Sequence, residues 1–164
     1  MNELGRIADQ LKRAYEGPAW SGPSLLDVLK DVTAAEAAAR PIPDAHSIWE
    51  IVHHIRVWED VVARRLQGEP FRQYSGTEDW PPVLDTSEAA WQAALDQLKT
   101  SNHKLRQIIN GFEQMRLSGL VPGADYSFYV LMQGAVQHDL YHAGQIGLLK
   151  KAHAAHTQSR PSSS

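Results

Sequence analysis

The 164-residue chain contains no cysteine. This absence excludes disulfide bonds, a thiolate nucleophile from the protein, cysteine-ligated zinc sites and iron–sulfur clusters. Any metal ion must therefore be bound by histidine, aspartate or glutamate side chains. The chain also lacks an excess of positive charge, since 16 Lys and Arg residues face 19 Asp and Glu residues and the net charge is −3. This balance argues against a protein dedicated to binding DNA or RNA.

Long apolar segments are missing as well. No run of about 18 apolar residues is present, so we expect neither a transmembrane helix nor membrane association. The first 17 residues contain Glu3, Asp9 and Glu16, whereas a signal peptide requires an uninterrupted apolar stretch, and this predicts a cytoplasmic protein. The 43% apolar content over 164 residues is sufficient for one hydrophobic core.

Helical periodicity predicts an all-α protein, because no segment sustains the alternation typical of a strand. Four long helices are expected over residues 3–15, 47–68, 85–112 and 127–152, and a shorter helix begins at Ser24. The clearest start is the S-x-x-E capping box formed by Ser47 and Glu50. The five tryptophans and Tyr141 are expected to pack in the core, as aromatic side chains at helical spacing usually do.

Residues 69–85 contain three prolines and little periodicity. They predict a long crossover loop, which allows two helices of a bundle to run parallel. We expect one domain over residues 1–152. The polar residues 153–164 are expected to form a disordered C-terminal tail.

Histidine is the unusual component, with eight in the chain. His138 and His142 are four residues apart on the last predicted helix, so their rings project from the same side about one turn apart. At about 100° per residue, both lie near the middle of an apolar stripe formed by Leu131, Ala135 and Leu149. Buried imidazoles need hydrogen-bond partners or a metal ion, because an unsatisfied polar group costs about 1 to 3 kcal/mol. The pair therefore predicts a metal site inside the protein.

The third ligand is expected from His53 or His54, which point about 100° apart on the second long helix. His54 borders the apolar face of that helix, beside Val61, whereas His53 points nearly opposite. We therefore predict His54, with His53 as the alternative if the helix is rotated. Three imidazoles leave at least one coordination position open, as in catalytic zinc sites. Zn²⁺ or Ni²⁺ is expected, although imidazole also suits Cu²⁺ and Fe²⁺.

Three alternatives remain open. Residues 138–142 (His-Asp-Leu-Tyr-His) resemble the H-E-x-x-H signature, which favours a metal-dependent hydrolase with Asp139 as base. That carboxylate is one methylene shorter, and only His153 and His156 remain downstream as a third ligand. The protein could instead be a non-catalytic, metal-binding dimeric bundle, or a metal-free bundle whose histidines form hydrogen bonds. Asp139 and Gln145 are candidates for orienting the ligand rings.

Two segments carry a family resemblance: residues 47–55, Ser-Ile-Trp-Glu-Ile-Val-His-His-Ile, and residues 138–146, His-Asp-Leu-Tyr-His-Ala-Gly-Gln-Ile. They resemble the DinB-like (DinB/YfiT) superfamily, over nearly the whole chain up to Lys151. The resemblance implies a four-helix bundle of up-down-down-up topology and a metal site at His54, His138 and His142. It also implies a homodimer.

The family includes transferases and isomerases that use low-molecular-weight thiols such as bacillithiol or mycothiol, together with many members of unknown activity. We therefore expect a metal-dependent enzyme of the thiol-dependent S-transferase or isomerase class. Its substrate would be a small molecule, with a low-molecular-weight thiol as cosubstrate.

Overall fold

Residues 1–158 are described by a computed structural model, and they contain helices but no β-strand. The helices are α1 (Glu3–Glu16), α2 (Leu25–Leu29), α3 (Ala34–Ala38), α4 (Ile48–Leu66), α5 (Glu88–Asn110) and α6 (Phe128–Gln158). Two single 3₁₀ turns cover Gly76–Glu78 and Gln114–Arg116. The all-α prediction with four long helices is confirmed. None of the helices in this part of the chain is long and apolar enough to cross a membrane.

Helix α4 begins at the predicted capping box. The Ser47 hydroxyl accepts a hydrogen bond from the backbone N–H of Glu50, and the Glu50 carboxylate accepts one from the backbone N–H of Ser47 at 2.8 Å. These two bonds satisfy N–H groups that the first turn of a helix leaves without partners. They fix the residue at which α4 starts.

Helix α6 is longer than the sequence predicted. It continues to Gln158, so residues 153–158, which we expected in a disordered tail, are helical. The reason is local, since the alanines of this segment favour a helix. The rest of the predicted tail, residues 159–164, lies outside the described residues.

The four long helices pack against one another, with α1 and α4 each contacting both α5 and α6. One apolar cluster joins α1 to the later part of α4, including Leu11 and Val62. A second cluster joins the first part of α4 to α2, α3 and α5, and in it Trp49 lies against Trp91 with ring centroids 5.1 Å apart. Trp20 contradicts the prediction for the tryptophans, because it lies in the loop after α1 and is fully exposed.

Candidate metal centre

Three histidine side chains from two helices meet in the interior. The Nε2 atom of His138 on α6 lies 3.1 Å from Nε2 of His54 on α4 and 3.1 Å from Nε2 of His142, one turn further along α6. One ligand atom from each residue lies within 4.8 Å of the others. His54 and His142 are 6% and 4% exposed. The structure thus brings together the three residues that the sequence selected.

Hydrogen bonds at the far side of two rings determine which nitrogen faces the centre. Nδ1 of His54 donates to the carbonyl oxygen of Asp79 at 2.9 Å and lies 3.1 Å from its carboxylate. Nδ1 of His142 donates to the Gln145 side-chain oxygen at 2.6 Å. Because a neutral imidazole carries one proton, both Nε2 atoms present a lone pair to the same point. The prediction for Gln145 as an orienting residue is confirmed.

The spacing of these nitrogens fits a divalent cation. Zinc–imidazole bonds of about 2.0 to 2.1 Å in tetrahedral geometry place neighbouring nitrogens roughly 3.3 Å apart. The two 3.1 Å separations are close to that value. Converging lone pairs repel one another unless a proton or a cation lies between them, so the residues present suit a metal ion.

Electrostatics keep these imidazoles neutral. Burial lowers the pKa of His138 to about 3, with a further contribution from repulsion by His142 and His54. Burial also lowers the pKa of His142 to about 4, although its hydrogen bond with Gln145 opposes the change. The pKa of His54 is lowered by burial and partly restored by Asp79. Metal ligation requires neutral imidazole, so the three side chains are in the required form at neutral pH.

His53, the alternative ligand, lies outside the cluster. Its Nε2 accepts a hydrogen bond from the Trp49 indole N–H at 3.1 Å, and its Nδ1 lies 3.5 Å from the carbonyl oxygen of Pro81. Both ring nitrogens therefore have partners of their own. This outcome follows from the rotation of α4, which turns residue 54 toward α6 and residue 53 toward the loop before α5.

A cavity of about 800 Å³ opens onto the cluster, and all three histidines line it. Trp80 forms part of its wall, lying between two imidazoles: it stacks on His54 at 3.8 Å and on His46 at 3.6 Å, centroid to centroid. Tyr141 also lines the cavity and is 64% exposed, so the prediction that it packs in the core is wrong.

Sequence reasoning missed Asp79 and Trp80. Both lie in the loop between α4 and α5, where no periodicity indicates which side chains face inward. Asp79 also accepts a hydrogen bond from the Trp58 indole N–H at 2.7 Å. Only the composition of the loop could have indicated these two residues, because an acidic residue and a tryptophan stand directly before two prolines.

Asp139 does not orient a ligand ring. Its side chain is completely buried, and neither carboxylate oxygen has a hydrogen-bond partner within residues 1–158. Burial raises its pKa, and the neighbouring Glu59 raises it further. Asp139 does not line the open cavity at the histidine cluster, whereas a hydrolase of the H-E-x-x-H type needs its base there.

The fold is all-α, and three inward-facing histidines from two helices lie beside an open cavity. These features define a class of helical proteins with a candidate metal site. Residues 9–146 match the family model of the DinB superfamily, and the chain belongs to that superfamily. A solved structure with the same fold is that of a conserved protein from Enterococcus faecalis, which is 19% identical with a TM-score of 0.68. The match covers 93% of this chain and 97% of that one. No curated protein matches the chain.

Proposed function

We propose that the protein binds one divalent metal ion, Zn²⁺ or Ni²⁺, through Nε2 of His54, His138 and His142. We further propose that it is a thiol-dependent S-transferase or isomerase acting on a small molecule. The observation that carries the proposal is the convergence of three neutral imidazoles at the base of an open cavity. A purely structural site would be closed by a fourth side chain.

The cavity supports an enzyme over a non-catalytic module. Its volume of about 800 Å³ lies in the range of pockets that hold small-molecule ligands, so it has room for a substrate and a thiol. When bound, the metal would supply a Lewis acid that lowers the pKa of a coordinated thiol. Asp79 and Gln145 hold the ring protons away from the centre, and Trp80 offers a flat apolar surface to a substrate.

We also propose the up-down-down-up bundle topology and a homodimer. The pairing of Trp49 with Trp91 and of Glu59 with Asn102 supports parallel directions for α4 and α5. The 21 residues between α4 and α5 are long enough for the return crossover. Sedimentation equilibrium tests the dimer, and a monomer at all concentrations would contradict it.

Metal affinity tests the site directly. The untagged protein is freed of metal, reloaded and titrated with a competing chelator, in parallel with His54→Ala and the matched control His53→Ala. If a four-ligand zinc site provides about 10 to 16 kcal/mol, each ligand contributes about 3 to 4 kcal/mol. Loss of His54 should then weaken binding about 100- to 1000-fold. We expect the same from His138→Ala or His142→Ala.

The control has a clear expectation, because His53 hydrogen-bonds elsewhere. His53→Ala should leave metal affinity within about twofold of wild type. Equal losses from His53→Ala and His54→Ala would contradict the ligand assignment. Absence of stoichiometric metal from all preparations would refute the metal site itself.

Activity is tested by a screen of electrophiles with bacillithiol, mycothiol and glutathione, with and without metal. Thiol consumption should require the metal and should be lost in His54→Ala but kept in His53→Ala. Turnover that survives metal removal would contradict the proposed chemistry. Metal binding without turnover for any thiol would favour the non-catalytic alternative.

A further inference from the structure

A second cavity lies between α4 and α6, behind the histidine cluster. Its volume is about 260 Å³ and its wall is mainly apolar, with Val62, Leu131 and Ala135 among the lining residues. Trp58 and His138 line both this cavity and the open one, so they form the partition between the two. None of its lining residues other than His138 belongs to the candidate metal site.

A buried cation lines this cavity. Arg65 is 3% exposed, and its guanidinium donates to the Tyr126 hydroxyl at 2.9 Å and to the carbonyl oxygen of Arg72 at 3.0 Å. Neither acceptor is charged, and Arg65 takes part in none of the ion pairs found within residues 1–158. Its guanidinium also lies over the rings of Phe71 and Trp58, 4.9 Å and 5.7 Å from their centroids, and these rings carry no net charge. A buried charge without a counter-ion is unfavourable, and a bound anion would relieve it. A guanidinium presents donors in a fork that suits a carboxylate.

Polar and apolar lining residues lie side by side in this cavity. The guanidinium carbon of Arg65, which bonds to Tyr126, lies 5.7 Å from the centroid of the Trp58 ring. The rest of the wall includes the apolar Val62, Leu131 and Ala135 and the carboxyl groups of Glu59 and Asp139. Val130 is 52% exposed and lines the cavity, so the cavity can be reached from solvent.

We propose that this cavity binds an organic anion, with its carboxylate at Arg65 and Tyr126 and its apolar body against Val62, Leu131 and Ala135. The site needs no metal ion, so the inference is independent of the proposed function. An amine held by Glu59 and Asp139 is the competing occupant. The anion is favoured because Arg65 has no charged partner within residues 1–158, whereas Glu59 already accepts hydrogen bonds from Ser101 and Asn102. The Asp139 oxygens have no hydrogen-bond partner within these residues, so the comparison of octanoate with octylamine decides between the two occupants.

Two glycines on α6 provide a matched test. A Cβ atom added at Gly134 or at Gly144 would meet no other atom within 4 Å, so both positions accept a side chain. Gly134 lines the second cavity, whereas Gly144 lines neither this cavity nor the open one. Gly134→Leu should therefore fill the cavity, and Gly144→Leu should have the same effect on α6 without touching it. Val130→Trp is a second blocking variant at a half-exposed position.

Octanoate is the probe, titrated into metal-free protein and followed by calorimetry and by NMR. We expect saturable 1:1 binding to wild type and to Gly144→Leu, with at least tenfold weaker binding to Gly134→Leu and Val130→Trp. 1-Octanol and octylamine should bind at least tenfold more weakly than octanoate. Circular dichroism verifies that each variant is folded. Gly134→Leu and Val130→Trp block the cavity from different positions, so a loss of octanoate binding in both is attributed to the blocked cavity.

Three results would overturn the proposal. The first is no saturable binding of octanoate to the wild-type protein, and the second is equal affinity in Gly134→Leu and Gly144→Leu. The third is octylamine or 1-octanol binding as tightly as octanoate, because the charge of Arg65 would then select nothing. Since the titration uses metal-free protein, none of these results depends on whether the three histidines bind a metal.

Discussion

Replacing Glu59 with glutamine should flatten the pH dependence of stability between pH 5 and pH 7. Glu59 lies on α4, is 2% exposed, and accepts hydrogen bonds from the Ser101 hydroxyl and, at 2.7 Å, from the Asn102 amide. Burial raises its pKa from 4.5 to about 8, although both hydrogen bonds act in the opposite direction. The folded protein therefore keeps a proton on Glu59 at pH values where the unfolded chain has lost it.

The sign and size of the effect follow from this difference. Between pH 4.5 and pH 8 the folded state binds more protons at Glu59 than the unfolded state, so stability present at low pH is lost as the pH rises. The loss is at most about 1.4 kcal/mol per pH unit, or up to about 3 kcal/mol from pH 5 to pH 7. Glutamine keeps the shape and an acceptor oxygen but does not titrate, so this contribution disappears.

Urea unfolding of the metal-free protein at pH 5, 6 and 7, followed by circular dichroism, measures the effect. The histidines contribute equally to wild type and Glu59→Gln, so the difference between the two curves reports Glu59 together with its effect on the neighbouring Asp139. The exposed Glu113→Gln is the matched control, and it should parallel wild type. A difference between wild type and Glu59→Gln that stays constant across this pH range would refute the reasoning.

Three other predictions concern the metal site and α4. Gln145→Leu should weaken metal binding about 10- to 100-fold in chelator competition, because the ring of His142 loses its orienting acceptor. The exposed Gln137→Leu should not, and equal effects would contradict the assignment. In metal-free protein, the lowered pKa values of His138 and His142 mean that stability present above pH 6.5 is lost as the pH falls toward 4. His138→Gln should make urea unfolding less sensitive to acid, and an unchanged dependence would oppose this. Ser47→Ala should cost about 1 to 2 kcal/mol of unfolding free energy, and a loss of only a few tenths would contradict the cap's role.

Much of the candidate site could be predicted because it depends on helix geometry. His138 and His142 share one face of α6 by their spacing alone, whatever packs against that helix. The apolar face of α4, with an angle of about 100° per residue, distinguishes His54 from His53. These predictions depend only on positions a few residues apart along one helix. For this reason they agree with the folded protein.

Contacts that join distant parts of the chain could not be predicted in this way. Asp79 and Trp80 reach His54 from a loop with no period, and their places depend on how that loop folds over α4. Glu59 and Ser101 are 42 residues apart and meet only because α4 packs on α5. The end of α6 was misplaced because weak local preferences decide where a polar helix stops.

The sequence by itself determined the helical class, the start of α4 and the three histidines that face inward, since each follows from local periodicity and hydrogen bonding. Tertiary structure alone decided that Nε2 of His138 lies 3.1 Å from Nε2 of both His54 and His142, and which residues of the loop between α4 and α5 contact His54. It also decided that an arginine without a charged partner lines a second cavity. The physical reason is that helix geometry repeats along the chain, whereas the distance between two helices depends on the packing of all the side chains between them.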